Sequence, residues 1–233
     1  MTDAGPTTET AANSGRFSDQ LREGAEPFWT AATTHRFTRQ LAEGSLPDSV
    51  FARYLIQDYH YVDCLAQAVG FAVGLAPDMT ARRPLAGFLS VLTNAENDFF
   101  LRSFKALGVA EETWRATPPS PVTQAISDAI VGGARVTAGG GQYPEAMTVL
   151  LCSEWVYQAW AAPVADARPE QPHYREWIEL HATPEFVAFV DWLRAETDRA
   201  CAGLGAARRE KLVALFKRVT ELEAAFFEAG FEG

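Results

Sequence analysis

The spacing of apolar residues is the feature that most constrains how this chain can fold. From Phe17 onward they recur every three or four positions, and alternating β-branched runs, which would indicate strands, are nearly absent. This pattern predicts an all-α fold. The chain has 233 residues, enough for one helical domain with a sizeable core. We therefore expect a disordered, polar tail over residues 1–15 and a single helical domain over residues 16–233.

Two helix starts are marked by a capping residue followed by a proline. Ser45 and Pro47 predict a cap and the first turn of a long helix that runs to about Leu75. Thr183 and Pro184 mark a second start in the same way. Further helical segments are predicted at about 80–107, 120–137, 143–162, 184–203 and 206–229, separated by proline-rich and glycine-rich stretches.

Charge and composition exclude several classes of partner. The 20 lysines and arginines against 30 acidic residues give a formal charge of -10 without a basic stripe, which argues against nucleic acid because phosphate backbones require clustered positive charge. No apolar stretch is long enough to span a membrane, and none resembles a secretion signal. The three cysteines, Cys64, Cys152 and Cys201, form no CxxC motif. We expect a cytoplasmic protein without membrane or nucleic-acid partners.

Aromatic and polar residues share two helical stretches, 57–61 and 153–157, as a small-molecule pocket between helices requires. Asp58 lies between Tyr54 and Tyr61 on one helix face. Its carboxylate could accept hydrogen bonds from a ring N–H or an exocyclic amine, with Tyr61 orienting that ring. The alternative is a surface aspartate, either exposed or paired with Arg53 or Arg39.

Glu223 is a second candidate, since it lies beside Phe226 and Phe227 on a strongly apolar helix. If this carboxyl is buried among aromatic rings, its pKa would rise toward neutrality, which suits a general acid or base. The alternative is that Glu223 pairs with Lys217 or Arg218 on the wet side of the helix.

Cys152 ends an apolar run and is followed at once by Ser153 and Glu154. A buried cysteine is usually a small hydrophobic residue, and a nucleophile needs a group that holds it as thiolate, so the role of Cys152 stays open. The four histidines show no metal-binding spacing, so no metal site is predicted; they are His35, His60, His173 and His181.

Taken together, several of these motifs resemble those of the TenA (thiaminase II) family. The run from Gly44 to Pro47, followed by Gln57, Asp58 and Tyr61, is similar to the entry motif of these proteins. The resemblance continues in the same order over about 16–230, through the segments 155–157, 174–178, 184–186 and 223–226. It implies a haem-oxygenase-like helical bundle, usually tetrameric. It also implies hydrolysis of thiamin, or of an aminomethyl-aminopyrimidine, to release hydroxymethylpyrimidine.

The resemblance also implies roles for individual residues and requires no cofactor. By position, Asp58 would bind the pyrimidine edge, Tyr61 would lie in the pocket and Phe226 would stack on the ring. Tyr157 would hold the geometry of the site, and Glu223 would transfer protons. His181 would stand where many members have a tyrosine. The small-molecule partner would be a pyrimidine, and the protein a homo-oligomer, either dimer or tetramer.

This sequence departs from the classical pattern at two positions. The cysteine nucleophile of the classical branch falls on Ser153, and Cys152 comes one residue early, which on a helix is a rotation of about 100°. The pocket tyrosine expected shortly after Pro121 is absent from residues 122–127. The chain is therefore more similar to the branch that lacks the cysteine, in which Glu154 becomes a second candidate acid or base alongside Glu223.

An aminopyrimidine hydrolase is the leading interpretation, and two others stay open. One is an oxidase or oxygenase on the same fold, with two irons or with none. The other is a pyrimidine-binding or regulatory protein without hydrolase activity. Fold alone does not decide among them.

Overall fold

The computed structural model describes residues 15–135 and 142–232. Within those ranges the chain contains helices and no strand, which confirms the all-α prediction. The predicted tail falls almost wholly outside the described residues, as does the glycine run at 139–141. The helices are α1 (Phe17–Gly24), α2 (Phe28–Thr33), α3 (Arg36–Glu43), α4 (Asp48–Leu75), α5 (Met79–Val91), α6 (Asn97–Ala106), α7 (Glu111–Ala116), α8 (Pro121–Ala134), α9 (Tyr143–Ala161), α10 (Pro172–Leu180), α11 (Pro184–Cys201) and α12 (Ala206–Ala229).

The helix α9 lies at the centre of the fold. It packs against α4, α8, α11 and α12, and every residue from Ala146 to Tyr157 is buried. A helix that is surrounded on all sides reads as apolar around its whole circumference, as the run 146–152 does. Polar groups in the next turn, Ser153 and Glu154, are therefore carried into the interior, where each needs a partner.

The segment predicted as one helix over 80–107 is interrupted. Five residues, Leu92–Glu96, form a π-helical turn between α5 and α6. A π turn holds one residue more than an α turn and so rotates the side chains that follow it. Apolar spacing alone did not predict this insertion.

One of the two predicted caps is correct. Thr183 accepts a hydrogen bond from the backbone N–H of Phe186 at 3.1 Å and caps α11 as expected. The Ser45 prediction is wrong, because Pro47 occupies the N-cap position of α4 and the Ser45 hydroxyl lies 3.3 Å from a carboxylate oxygen of Glu43. The start of α4 is fixed instead by Tyr174 of α10, whose hydroxyl donates to the Leu46 carbonyl at 2.9 Å.

Over the described ranges, no helix is both long enough and apolar enough to cross a membrane.

Candidate active site

A small cavity of about 50 Å³ lies between α4, the π-helical turn, α9 and the α10–α11 region. We call it the carboxylate cavity, because three acidic side chains face it from three different elements. These are Asp58 of α4, Glu96 of the π-helical turn and Glu154 of α9. Its other lining residues are Tyr61, Val62, Leu65, Phe88, Val91, Leu92, Tyr157, Trp177, Leu180, His181 and Phe186.

Asp58 is 1% exposed, which excludes the alternative of a surface aspartate paired with arginine. Arg53, one turn earlier on α4, donates instead to the carbonyl of Gly230 at 3.1 Å. Burial raises the pKa of Asp58 well above its usual value, the negative charge of Glu96 raises it further, and hydrogen bonding by Tyr54 opposes both. One carboxyl oxygen, Oδ2, is buried and has no hydrogen-bond partner among the described residues. Such an atom is costly unless a ligand satisfies it.

Two tyrosine hydroxyls form a hydrogen-bonded pair next to Asp58. The hydroxyls of Tyr54 and Tyr157 lie 2.7 Å apart, and the pKa of each is raised well above 10.0, first by burial and then by the charge of Asp58. Both phenols are therefore protonated and available as donors. The ring of Tyr157 also packs against His181, with ring centroids 4.8 Å apart. This ties α4, α9 and the end of α10 together around Asp58.

Glu223 is fully buried, which excludes the alternative that it pairs with a surface lysine or arginine. The Tyr61 hydroxyl donates to its Oε1 at 2.8 Å, and Oε2 is buried without a partner among the described residues. Burial raises the pKa of Glu223 to about 8, and the hydrogen bond from Tyr61 opposes that rise. Glu223 does not line the cavity itself, whereas Tyr61 does. Tyr61 therefore connects this carboxyl to the cavity.

Three neighbouring residues of α9 point in different directions. Glu154 is 6% exposed and lines the cavity, and its pKa is raised well above the usual value by burial and then by the charges of Glu96, Glu223 and Asp58. Neither Cys152 nor Ser153 lines the cavity. The Ser153 hydroxyl donates to the carbonyl of Val149 at 3.2 Å.

Cys152 faces α12. Its sulfur lies 3.1 Å from the Thr220 hydroxyl and donates to the carbonyl of Phe216 at 3.5 Å. Burial raises the pKa of this thiol well above its usual value, so it is held in the protonated form. Cys152 and Glu154 are two residues apart, about 200° around the helix axis. This is why one faces α12 and the other the cavity.

The remaining two predicted residues differ in placement. Phe226 does not line the cavity and packs behind it, with ring centroids 5.5 Å from Tyr54 and 5.7 Å from Tyr61. His181 does line it, and burial lowers its pKa to about 4, so the ring is neutral near pH 7. Its Nδ1 is 2.8 Å from the carbonyl of Trp177 and donates to it, which leaves Nε2 as an acceptor.

Among the cavity residues that were not predicted as site residues, two carry polar groups, Glu96 and Trp177. Glu96 falls four residues after Leu92 and eight after Phe88, which places a carboxylate on the apolar face of a helix. That position is the feature of the sequence from which Glu96 could have been predicted as a site residue. Part of Glu96 remains accessible to solvent, yet its surroundings are dense enough to raise its pKa to about 7. The indole Nε1 of Trp177 is a buried donor without a partner among the described residues.

A larger depression of about 410 Å³ adjoins the cavity and shares Val62 and Leu92 with it. It is more open and is lined mainly by Tyr59, Trp114 and Arg115. We place the site in the smaller cavity because the buried, unpartnered Asp58 and Trp177 atoms are there. In residues 15–135 and 142–232, no three acidic, histidine or cysteine side chains are arranged to hold a metal ion.

Comparison with known proteins agrees with this geometry. The model of the TENA/THI-4/PQQC family matches residues 22–232. The chain belongs to this family. The aminopyrimidine aminohydrolase of Halalkalibacterium halodurans is 27% identical over 217 residues, which is 92% of this chain and 95% of that protein.

Solved structures show the same fold. The TenA homologue from P. horikoshii OT3 superposes with a TM-score of 0.82 at 25% identity, covering 94% of this chain and 99% of that one. A domain with a haem-oxygenase-like fold from Shewanella denitrificans OS217 superposes with a TM-score of 0.58 at 15% identity, covering 92% of this chain and 91% of that one. The prediction of a haem-oxygenase-like, TenA-type bundle is confirmed.

Proposed function

We propose that this protein is an aminopyrimidine hydrolase of thiamin salvage, which cleaves the C–N bond of thiamin or of a thiamin breakdown product to release hydroxymethylpyrimidine. The observation that carries the proposal is the buried Asp58 carboxyl, which has an unpartnered oxygen in an aromatic-lined cavity beside the Glu223–Tyr61 pair. The match to aminopyrimidine aminohydrolases along most of the chain supports the same conclusion.

Asp58 would recognise the aminopyrimidine edge. An aminopyrimidine presents an N–H donor beside a ring-nitrogen acceptor, and a carboxyl group can pair with both at once. The raised pKa of Asp58 means that its proton can be shared with the ring nitrogen, which makes the pair charge-assisted. Tyr61 and Tyr157 would pack against the ring, while Tyr54 and Tyr157 hold Asp58 in position.

With an amine substrate, the reaction is the hydrolysis of the C–N bond. The aminomethyl group enters as an ammonium and the C–N bond breaks with its electron pair on nitrogen. The water oxygen bonds to the methylene carbon, and the proton that the water loses ends on the departing ammonia. The products are the hydroxymethylpyrimidine and an ammonium ion. With thiamin the departing group would be the neutral thiazole, and the proton from water would pass to solvent.

The Glu223–Tyr61 pair would move that proton. Tyr61 lines the cavity and its hydroxyl donates to Glu223, whose pKa, raised to about 8, lets that carboxyl take up a proton near neutral pH and give it back. Glu154 faces the cavity directly and would keep the amine of the substrate protonated until the C–N bond breaks. Cys152, a protonated thiol turned toward α12, would take no part.

The test is to incubate the purified protein with aminomethyl-aminopyrimidine or thiamin in water enriched in heavy oxygen and to analyse products by mass spectrometry. We expect hydroxymethylpyrimidine that carries one labelled oxygen, together with stoichiometric ammonia or thiazole. A protein that binds these pyrimidines tightly but yields no product from either would instead be the binding or regulatory protein considered above.

Compartment and assembly stay predictions. We propose a cytoplasmic homo-oligomer, and light scattering on the purified protein tests the assembly.

A further inference from the structure

The π-helical turn brings an additional carboxylate to the cavity. Glu96 is the last residue of that turn, and it faces the cavity together with Leu92. Immediately after the turn, Phe99 and Phe100 are fully buried in the core. The extra residue of the turn thus allows the α5 side chains and Glu96 to face the cavity while α6 still packs into the core.

The charged side chains that line the cavity with Glu96 are all acidic. The cavity lining in the described part of the chain contains Asp58, Glu96 and Glu154 but no lysine or arginine, and His181 is neutral. The three carboxyls line one cavity, and among neighbouring charges that of Glu96 raises the pKa of both Asp58 and Glu154 most strongly. Like charges held together raise each other's pKa, and a cation bound among them removes that penalty.

Two unpartnered atoms in the same lining point to a ligand independently of this cluster. Asp58 Oδ2 is an acceptor and Trp177 Nε1 a donor, both buried without partners among the described residues. A ligand that satisfies both must carry donor and acceptor groups, as an aminopyrimidine does. The ring would therefore lie against Asp58 and Trp177, and its substituent against the remaining acids.

We propose that Glu96, together with Glu154, binds the departing ammonium group of the substrate. This inference rests on the proposed function and adds to it a residue and a preferred leaving group. A primary ammonium has three N–H donors that two carboxylates can accept at once, whereas the thiazolium nitrogen of thiamin has none.

The position of Glu96 suits release of the ammonium ion as well as its binding. Glu96 is partly exposed, and Val91, one turn before it and also in the lining, is 47% exposed, so this part of the cavity lies at the protein surface. Asp58 and Glu154, by contrast, are buried. Ammonium held by Glu96 can therefore leave to solvent without passing the buried acids.

The experiment compares Glu96→Gln with the wild type and with a matched control, Asp98→Asn. Asp98 is exposed and two residues away on the same helical segment, so the control removes the same charge outside the cavity. Calorimetry at pH 7, with Glu223→Gln added to every protein so that the aminomethyl ligand is not hydrolysed during the titration, measures the affinity of each for aminomethyl-aminopyrimidine and for the neutral hydroxymethyl analogue. Thermal melting verifies folding, and Glu96→Asp, which keeps the charge on a shorter side chain, provides a second variant.

We expect Glu96→Gln to weaken aminomethyl binding by about tenfold or more, the range of a hydrogen bond to a charged group, and to change hydroxymethyl binding by less than about twofold. Glu96→Asp should fall between Gln and wild type, and Asp98→Asn should match the wild type. Equal weakening of both ligands, or of neither, would overturn the role of Glu96 and leave the proposed function standing. A wild-type protein that binds neither pyrimidine would overturn the proposed function and this inference with it.

Discussion

At the inner end of the site, Asp58, Tyr61 and Glu223 are carried by the two long helices α4 and α12 and are almost wholly buried. At the outer end, Glu96 lies on a single π-helical turn and remains partly exposed. The inner groups are fixed by hydrogen bonds such as that from Tyr61 to Glu223, at 2.8 Å. In the proposed mechanism, proton transfer takes place at the buried end, where burial raises the carboxyl pKa values most, and release takes place at the end that meets water.

The largest effect should come from Glu223→Gln. Gln keeps the size and can still accept from Tyr61, but it has no transferable proton, so turnover should fall by roughly 10²–10⁴ while pyrimidine binding survives. In the wild type, kcat/KM should rise with pH through about 8 as Glu223 ionises, and this rise should disappear in the variant. Steady-state kinetics across pH measure both.

The control is Glu221→Gln on the same helix, where the glutamate is solvent-accessible and forms an ion pair with Arg218. It should match the wild type. Tyr61→Phe, which breaks the connection between Glu223 and the cavity, should resemble Glu223→Gln. If Glu223→Gln turns over within a factor of a few of wild type, the inner end is not the proton-transfer site, and Glu154 becomes the carboxyl to test.

A second effect concerns stability. The pKa of Glu223 is raised from its ordinary 4.5 to about 8 in the folded protein, so folding favours the protonated form. Its stabilising contribution is complete below about pH 4.5 and is lost as pH rises to about 8, since the unfolded chain ionises first. Glu223→Gln should therefore gain stability over the wild type across that window, by on the order of 1 kcal/mol per pH unit.

Urea unfolding at pH 5, 6.5 and 8 measures this gain. Glu96→Gln should show a smaller gain that ends near pH 7, because Glu96 is partly solvated and its pKa is raised only to about 7. Equal gains in stability for the two variants would contradict the contrast between a buried inner end and a solvent-exposed outer end of the site.

Much of this arrangement follows from sequence. Periodic apolar spacing predicted the all-α fold and the bounds of α12, and Pro77 predicted the end of α4 at Leu75. The placement of Asp58 and Tyr61 in one cavity followed from their three-residue separation on one helix, which puts both on the same face. Local periodicity sufficed for these because it is a property of a single helix.

The features that could not be predicted from the sequence depend on contacts between segments that are distant in the chain. The π-helical turn shifts the register by one residue within an otherwise regular apolar pattern, so the approach of Glu96 to Asp58 was hidden. Ser45 looked like a cap, but Tyr174, more than a hundred residues away, fixes that turn. Phe226 has the right spacing for a ring-stacking wall, yet it does not line the cavity and instead packs against Tyr61, which does.

A third prediction tests recognition at the inner end. Asp58→Asn keeps one donor and one acceptor but cannot share a proton with the ring nitrogen, so a charge-assisted pair becomes a neutral one. Pyrimidine affinity should fall by roughly 10–100-fold, while thermal stability stays near that of the wild type. Asp63→Asn, an exposed aspartate on the same helix, is the matched control. Unchanged affinity in Asp58→Asn, measured by calorimetry, would show that the pyrimidine does not pair with this carboxyl.

The smallest effect should come from Cys152→Ala, which tests the two sides of α9. Cys152 contacts Thr220 and Phe216 of α12, whereas Glu154, two residues on, lines the cavity. Its thiol is buried, and the raised pKa keeps it protonated, so it lacks the thiolate that nucleophilic attack requires. We expect turnover within a factor of about three of the wild type and a loss of about 1 kcal/mol in stability from the vacated volume. Cys201→Ala, which removes another fully buried thiol, controls for packing alone. A loss of several orders of magnitude in turnover in a folded Cys152→Ala variant would mean that α9 presents its α12-facing side to the substrate, and that chemistry is not confined to the carboxylate cavity.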